Sequence, residues 1–190
     1  MEKDFNTFLS RTEWLEFFKP SGIGIEIGVE KGNFSKVILE TCPKIVLFLL
    51  DCWDYPIKNY YDRDAGSLEA QRKMLEETTW NVARWFKRVR LIKGYANEFV
   101  KFFPNNFFNF IYIDANHKYE EVKKDIELWY PKLKSGGLFS GHDYLDRLDP
   151  ECDFGVKKAV DEFGKNNNIQ IYTTISSEVE EFQTWFCFKP

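Results

Sequence analysis

Residues 22–51, GIGIEIGVEKGNFSKVILETCPKIVLFLLD, decide the fold class. The segment begins with a short apolar strand at residues 22–27. From Asn33 onward apolar side chains recur at helical spacing as far as Pro43, which ends the helix. Residues 44–50 have the length and the β-branched content of a fully buried strand. The segment therefore reads as a strand–helix–strand unit, whose strands we expect to be parallel with a right-handed crossover.

The same alternation continues along the chain. Further strands are predicted at residues 88–94, 107–114 and 136–144, and helices at 10–19, 67–86, 95–103, 119–130 and 156–164, the last with Gly164 as its cap. Residues 169–175 and 182–188 alternate between apolar and polar side chains and are predicted to pair antiparallel. The 190 residues thus predict one α/β domain, 1–190, with a mostly parallel sheet and a helical extension at residues 1–20.

Composition excludes several classes of protein. The net charge of -4 does not favour nucleic acid or an anionic membrane as a partner, and no run of about 18 apolar residues is present. The first ten residues, MEKDFNTFLS, lack the apolar core of a signal peptide. The four cysteines are scattered without zinc-binding spacing. We expect a cytoplasmic protein with reduced thiols, and the sequence leaves a homo-oligomer open.

Chemically active side chains gather where the predicted strands end. Open parallel sheets bind ligands at the carboxyl ends of their strands, at the point where the strand order reverses. Four of the five predicted parallel strands end near an acid, which makes this edge the predicted site. The side chains at these ends are Glu26 with Gly28, Asp51, the turn Gly94–Ala96, Asp114 with His117, and His142 with Asp143 and Tyr144.

The first strand end indicates the class of ligand. Glu26, Gly28 and Gly32 do not have the glycine spacing of a dinucleotide fingerprint, and no P-loop motif follows. An acid at this position would repel a phosphate, so we expect a nucleoside-like ligand with a positive group, such as S-adenosylmethionine. Asp51, 23 residues after Gly28, is placed to accept hydrogen bonds from ribose hydroxyls. A tight strand-to-helix turn without a ligand would also explain the glycines.

Four motifs together identify a family resemblance: GIEIGVEKGNFS, LLDCWD, FGVKKAVDEF and, most specifically, IYIDANHKYEEVKKDIELWYPKLKSGGLFSGHDY at residues 111–144. Over residues 22–164 the chain resembles class I S-adenosylmethionine-dependent methyltransferases, in the small-molecule O-methyltransferase branch that includes the macrocin-type enzymes. The resemblance implies a Rossmann-like, seven-stranded sheet with strand order 3-2-1-4-5-7-6, helices on both faces and the last strand antiparallel.

The resemblance also implies roles for individual residues. Glu26, Gly28 and Gly32 would hold the methionine part of S-adenosylmethionine. Asp51 would bind the ribose, with Cys52 and Trp53 beside it, and the turn Gly94–Tyr95–Ala96 would border the adenine. Asp114 would lie at the junction between the cofactor and a metal.

Relatives of this type bind a divalent metal through acids at the fourth and fifth strand ends. Asp114, His142 and Asp143 occupy those positions, and His142 replaces the more usual carboxylate. The expected ion is Mg²⁺, which prefers oxygen, or Mn²⁺, which tolerates an imidazole. Without a metal, His142 or His117 would serve as the general base that accepts the proton of the methyl acceptor.

The sequence favours methylation of a hydroxyl on a small molecule, such as a sugar or a natural-product intermediate. The aromatic-rich segment 53–85, which includes Tyr60 and Tyr61, would form a lid over the acceptor or an interface. Three alternatives stay open at this point: an inactive S-adenosylmethionine-binding module that acts through an interface, a nicotinamide-dependent oxidoreductase, and a metal-dependent hydrolase.

Overall fold

A central sheet organises the chain, for which a computed structural model describes residues 5, 7–55, 66–149, 152–176 and 182–190. The elements in chain order are α1 Arg11–Phe18, β1 Gly22–Ile27, α2 Asn33–Thr41, β2 Ile45–Asp51, α3 Leu68–Val82, β3 Val89–Lys93, α4 Ala96–Phe99, β4 Phe108–Ile113, α5 Tyr119–Trp129, β5 Leu133–Gly141, β6 Asp146–Asp149, β7 Cys152–Gly155, α6 Val156–Asn167, β8 Tyr172–Thr173 and β9 Trp185–Phe188. Short 3-10 turns extend α3, α4 and α5. No helix in these described ranges combines the length and the apolarity needed to cross a bilayer.

The sheet has seven strands in the order β3-β2-β1-β4-β5-β9-β8. Strands β1 to β5 run parallel, and β9 pairs antiparallel with both β5 and β8. This arrangement confirms the predicted order and the antiparallel last strand. The strand order reverses between β1 and β4, so a cleft is expected at the carboxyl ends of these two strands.

Helices cover both faces of the sheet, so the central strand β4 is buried on both sides. Its alternate residues Phe110 and Tyr112 join an apolar cluster with α1 and α2, while Ile111 and Ile113 join a second cluster with α5 and α6. Because a strand buried on both faces needs apolar side chains on both, β4 reads in the sequence as an apolar run that only Asn109, near its start, interrupts.

Two parts of the C-terminal half differ from the prediction. The helix α6 continues to Asn167 and is capped by Asn168 in the left-handed conformation, so the prediction of Gly164 as the cap was wrong. A side chain at Gly164 would meet Ile171 at 2.7 Å, so a close approach of the following segment requires this glycine. Strands β6 and β7 form a separate two-stranded sheet that the sequence did not indicate.

The N-terminal helix α1 is anchored at both the cap and the core. The Ser10 side chain accepts a hydrogen bond from the Glu13 amide, and the Glu13 carboxylate accepts one from the Leu9 amide. This exchange follows the logic of a capping box, in which a serine and a glutamate three residues later satisfy free amides at the helix start. Trp14 and Leu15 are fully buried against the sheet. As a result Arg11, on the first turn of α1, reaches the cleft.

Candidate active site

A cleft of about 800 Å³ lies at the carboxyl ends of β1 to β4. Its volume is within the range of small-molecule sites. The cleft brings together most of the residues that the sequence singled out from separate parts of the chain. These are Glu26, Gly28, Asp51, Cys52, Gly94, Tyr95, Ala96, Asp114, His117 and Asp143.

Three of the predicted residues lie outside the lining of this cleft. Gly32 begins α2 with a φ of +72° and packs against Thr78, so it shapes the turn instead of facing the cleft. Trp53 is fully buried, and its indole donates a hydrogen bond to the Glu30 carbonyl at 2.8 Å. His142 lines a small adjoining cavity behind the cleft.

Gly28 is required by the protein's own backbone. Its φ is +85°, and a Cβ at this position would lie 1.9 Å from the carbonyl oxygen of Asp114. No side chain fits such a contact, so glycine lets the ends of β1 and β4 come together. This approach places Glu26 and Asp114 in the same cleft.

Glu26 is buried at the floor of the cleft, with 2% of its surface exposed. It accepts a hydrogen bond from the Ser35 hydroxyl. Burial raises the pKa of Glu26 to about 8; the charges of Asp114 and Asp51 also raise it, whereas Ser35 and Arg11 oppose the shift. The carboxyl is therefore largely neutral in the free protein near pH 7, which differs from the anionic strand end that the sequence suggested. A ligand ammonium group would favour the ionised form.

Asp51 organises the loop that follows β1. Its carboxylate accepts hydrogen bonds from the amides of Val29 at 2.7 Å, Glu30 at 2.9 Å and Trp53 at 3.1 Å. A carboxylate has about four acceptor positions. Asp51, which lines the cleft, thus keeps capacity for a ligand hydroxyl while it holds the loop in place.

Arg11 is a cleft residue that the sequence did not indicate. Its guanidinium lies 3.5 Å from the Asp114 carboxylate and 4.5 Å from the ring centre of Phe34. The stacking on Phe34 fixes the side chain over the cleft, and its charge acts on Glu26. A cation thus lies among the acids at the end of β1 and β4.

Two histidines and two acids form a cluster beside Glu26. The Nε2 atom of His117 lies 2.9 Å from Oδ2 of Asp143 and 4.0 Å from Oδ1 of Asp114, and the His117 ring stacks on Phe154. The Nδ1 atom of His142 lies 3.4 Å from Oδ1 of Asp143. Asp143 has a φ of +53°, so the turn after β5 is strained where these groups meet.

The cluster keeps its charges through mutual contacts. Burial alone would lower the pKa of His117, but contacts with Asp114 and Asp143 raise it to about 10. Burial would raise the pKa of Asp143, but contacts with His117 and His142 hold it well below its usual range. In the free protein His117 is therefore an imidazolium held between carboxylates.

Donor atoms of Asp114, His117 and Asp143 lie within 4.8 Å of one another, the spacing that a metal ion needs. The nitrogen donor of this trio is His117, whereas the sequence pointed to His142. Within the described ranges this is the cluster of at least three such residues that meets the spacing. Two carboxylates and an imidazole suit Mn²⁺ and related ions, and also admit Mg²⁺.

The profile of a family described as "Methyltransferase domain" matches residues 25–144, more than half of the 190-residue chain. The chain belongs to this family. It is an S-adenosylmethionine-dependent methyltransferase. The match begins next to Glu26 and ends next to Asp143, so it spans the acids of the cleft.

Solved structures share the fold of this methyltransferase. A Staphylococcus aureus protein provisionally named a caffeoyl-CoA O-methyltransferase has a TM-score of 0.65 and 16% identity, over 93% of this chain and 80% of that one. An O-methyltransferase family protein from Burkholderia thailandensis has a TM-score of 0.66 and 10% identity, over 94% and 53%. A Clostridium thermocellum protein provisionally named an rRNA methylase has a TM-score of 0.65 and 16% identity, over 94% of this chain and 95% of that one. At these identities the likeness shows the fold alone. A search of curated proteins found no match.

A second residue of the methyltransferase cleft, this time an acid, was also not indicated by the sequence. Asp125 lies on α5 and lines the cleft, with 8% of its surface exposed. Its position beside the apolar stripe of Val122, Ile126 and Trp129 was the available signal, because an acid next to such a stripe lies at the border of the buried face.

The cysteines of the described residues are unreactive thiols. Cys42, Cys52 and Cys187 are free thiols, and burial raises the pKa of Cys52 to about 11, so it is not a reactive thiolate. The side chain of Cys152 lies outside the described part of the chain, as do Tyr60 and Tyr61 within the predicted lid.

Proposed function

We propose that this methyltransferase methylates a hydroxyl oxygen of a small molecule with the help of a divalent cation. The observation that carries the proposal is the Asp114–His117–Asp143 cluster, which lies in the same cleft as the strand-end acids Glu26 and Asp51. The likeness of the fold to O-methyltransferases supports it. A sugar or natural-product acceptor, as in the macrocin-type branch, is the finer form of the same proposal.

The acids and the arginine at the β1 end suit an amino acid group. S-adenosylmethionine carries an activated methyl group on a positively charged sulfur, together with an α-amine and an α-carboxylate. We assign the amine to Glu26, whose ionised form it would stabilise, and the carboxylate to Arg11, which stacks over Phe34 in the same cleft. Opposite charges on the ligand and on these two side chains would fix its orientation.

The middle and the far end of the cleft suit a nucleoside. Asp51 has acceptor capacity for the ribose hydroxyls, and the small residues Gly94 and Ala96 in the cleft lining would leave room for a base. In the turn, Tyr95 donates a hydrogen bond to Asp54 at 3.3 Å. A nicotinamide dinucleotide is disfavoured because the strand end presents the buried carboxyl of Glu26 where a pyrophosphate would lie.

The acid–histidine cluster would activate the acceptor. A divalent cation bound there would lower the pKa of an adjacent hydroxyl group. Asp114, His117 and Asp143 would hold the cation, and His142 would position Asp143 from behind. In the free protein His117 already holds its proton between the two carboxylates, so it has no free lone pair to accept the proton of the acceptor. A cation that displaces this proton would leave the neutral imidazole as a ligand.

The acceptor would enter beside α3. Gln71 and Met74 on this helix line the cleft, which supports the proposal that part of the segment 53–85 covers the acceptor. Residues 56–65 of that segment lie outside the described part of the chain.

The test is methyl transfer from S-adenosylmethionine to a panel of catechols, sugars and other polyhydroxylated compounds, with Mg²⁺, with Mn²⁺ and with EDTA. We expect transfer that needs a cation and is lost in Asp143→Asn and His117→Gln. Glu127→Gln, an exposed acid on α5, is the control and should behave as wild type. Transfer that survives both EDTA and Asp143→Asn would overturn the cation-assisted mechanism. Binding of S-adenosylhomocysteine without transfer to any compound would favour an inactive binding module.

A further inference from the structure

Asp125 is a buried acid that the proposed chemistry does not use. It lies on the second turn of α5, lines the cleft and has only 8% of its surface exposed. Among the described residues none forms a hydrogen bond or an ion pair with its carboxyl group, and only the more distant charges of Glu121 and Lys124 act on it. Its side chain is therefore buried, unpartnered and directed into the cleft.

Such a group is costly to keep in a folded protein. Taking a carboxylate out of water without a partner is strongly unfavourable, and the group responds by holding its proton. Burial raises the pKa of Asp125 to about 7; Glu121 adds to the shift and Lys124 opposes it. An apolar residue would suit the packing between Val122 and Ile126 better. The acid is therefore best explained by a ligand that completes its hydrogen bonding.

The surroundings of Asp125 indicate which part of the ligand that is. Helices α4 and α5 contact each other, and Ala96 packs against the cluster that contains Val122 and Ile126. The cleft lining also includes Asn97 and Glu98 from the first turn of α4. This is the end of the cleft to which the proposed function assigns the adenine.

Adenine and a carboxyl group are chemically complementary. The adenine edge presents an amino group that donates hydrogen bonds and, beside it, the ring nitrogen N1 that accepts one. A carboxyl group accepts from the amino group in either protonation state, and when protonated it also donates to N1.

We propose that Asp125 recognises the amino edge of the adenine of S-adenosylmethionine and so makes the site selective for adenosine over other nucleosides. The inference rests on the proposed function, and it assigns a specificity-determining residue that lies outside the strand ends. An adenine that lacks the amino group would lose the contact, whereas the ribose and methionine contacts would remain.

Calorimetric titration with S-adenosylhomocysteine, and with its analogue whose purine lacks the 6-amino group, tests this inference. Four proteins are needed: wild type, Asp125→Leu, Asp125→Asn and the control Glu127→Gln. For S-adenosylhomocysteine we expect Asp125→Leu to bind about 10- to 30-fold more weakly than wild type, the effect of losing a hydrogen bond to a buried polar group. Asp125→Asn keeps an acceptor and should stay within about threefold of wild type.

The analogue shows whether Asp125 contacts the adenine amino group or only supports the shape of the site. At about pH 8.5 Asp125 is ionised and cannot donate to N1, and the analogue lacks the amino donor, so Asp125→Leu should bind the analogue no more weakly than wild type does. If Asp125→Leu binds S-adenosylhomocysteine as wild type does, or weakens both ligands equally, the inference is overturned while the proposed function stands. If the wild-type protein binds neither ligand, the proposed function fails and the inference fails with it. Thermal melting of each variant shows that it is folded.

Discussion

The buried acids of the cleft differ in whether a positively charged side chain contacts them. Asp143 is surrounded by His117 and His142 and is held ionised, with its pKa below the usual range. Asp125 and Glu26 are just as buried but lack a matching cation in direct contact, so their pKa values rise to about 7 and about 8. The difference comes from partners and not from depth, because all three acids are at least 92% buried.

This contrast separates two kinds of site in one cleft. Where the protein supplies its own positive groups, the acids are already charged and are arranged for a cation or for proton transfer. Where the protein supplies no positive group, the acids hold their protons in the free protein and are available to a positive or hydrogen-bond-donating ligand. On this view the Asp143 end performs the chemistry, while the Glu26 and Asp125 regions bind the two ends of S-adenosylmethionine.

The largest effect is expected from Asp143→Asn, which disrupts the contacts of Asp143 with His117 and His142 and leaves the Glu26 and Asp125 regions unchanged. The variant loses a charged donor of the cation cluster, so methyl transfer should fall by about 100-fold or more, in line with the loss of a metal ligand or its close support. Affinity for S-adenosylhomocysteine should change by less than about threefold. Initial rates and calorimetry measure the two quantities. A large loss of affinity for S-adenosylhomocysteine with little loss in the rate of methyl transfer would show that Asp143 belongs to the cofactor-binding region and not to a separate catalytic one.

Glu26→Gln tests whether the carboxyl of Glu26 binds the ammonium group of the ligand. In the free protein the carboxyl holds its proton below about pH 8, and the ligand ammonium lowers that pKa, so binding should release up to one proton per site at pH 7. Titrations in buffers of different ionisation enthalpy count this proton. Glu26→Gln should abolish the release and weaken binding about 10- to 30-fold, the effect of a lost charge-assisted hydrogen bond. Equal proton release in the variant would exclude Glu26 as its source.

Arg11→Met sharpens the comparison at the methionine end. Removing the guanidinium should weaken S-adenosylmethionine binding about tenfold, because the α-carboxylate loses its partner. Decarboxylated S-adenosylmethionine lacks that carboxylate and should bind wild type and variant alike. An equal loss for both ligands would mean that Arg11 acts only through Asp114, which lies 3.5 Å away.

The last expected effect concerns the stability of the free protein. The pKa of Asp125 is raised from 3.8 to about 7, so the folded state holds the proton more tightly than the unfolded state, and stability is lost as pH rises from about 4 to about 7. Asp125→Asn should therefore raise the free energy of unfolding at pH 8 by up to about 4 kcal/mol, with little gain at pH 4. Urea unfolding at the two pH values measures the difference. A gain of equal size at both would point to packing instead of charge.

The strand-end residues could be predicted because local pattern and sheet topology determine them together. Buried runs such as residues 22–27 and 107–114 mark the strands, and parallel order brings their final acids to one edge. Arg11 could not be found this way, since it lies 103 residues from Asp114 along the chain and reaches it only because α1 folds against the sheet.

The choice between the two histidines was also beyond the sequence. His117 and His142 both follow strand ends, and the left-handed turn at Asp143 and the start of α5 decide which ring faces the cleft. Trp53 reads as an aromatic beside a ligand, yet its hydrogen bond to Glu30 places it in the core. Such outcomes depend on tertiary contacts that no local spacing encodes.

Calorimetric titration of the wild-type protein with S-adenosylhomocysteine and, separately, with NAD⁺ tests the central claim most directly. If the cleft accepts a nucleoside joined to an amino acid, S-adenosylhomocysteine binds at one site per chain with micromolar affinity and NAD⁺ gives no heat of binding. Saturable binding of NAD⁺ with no response to S-adenosylhomocysteine would contradict the account.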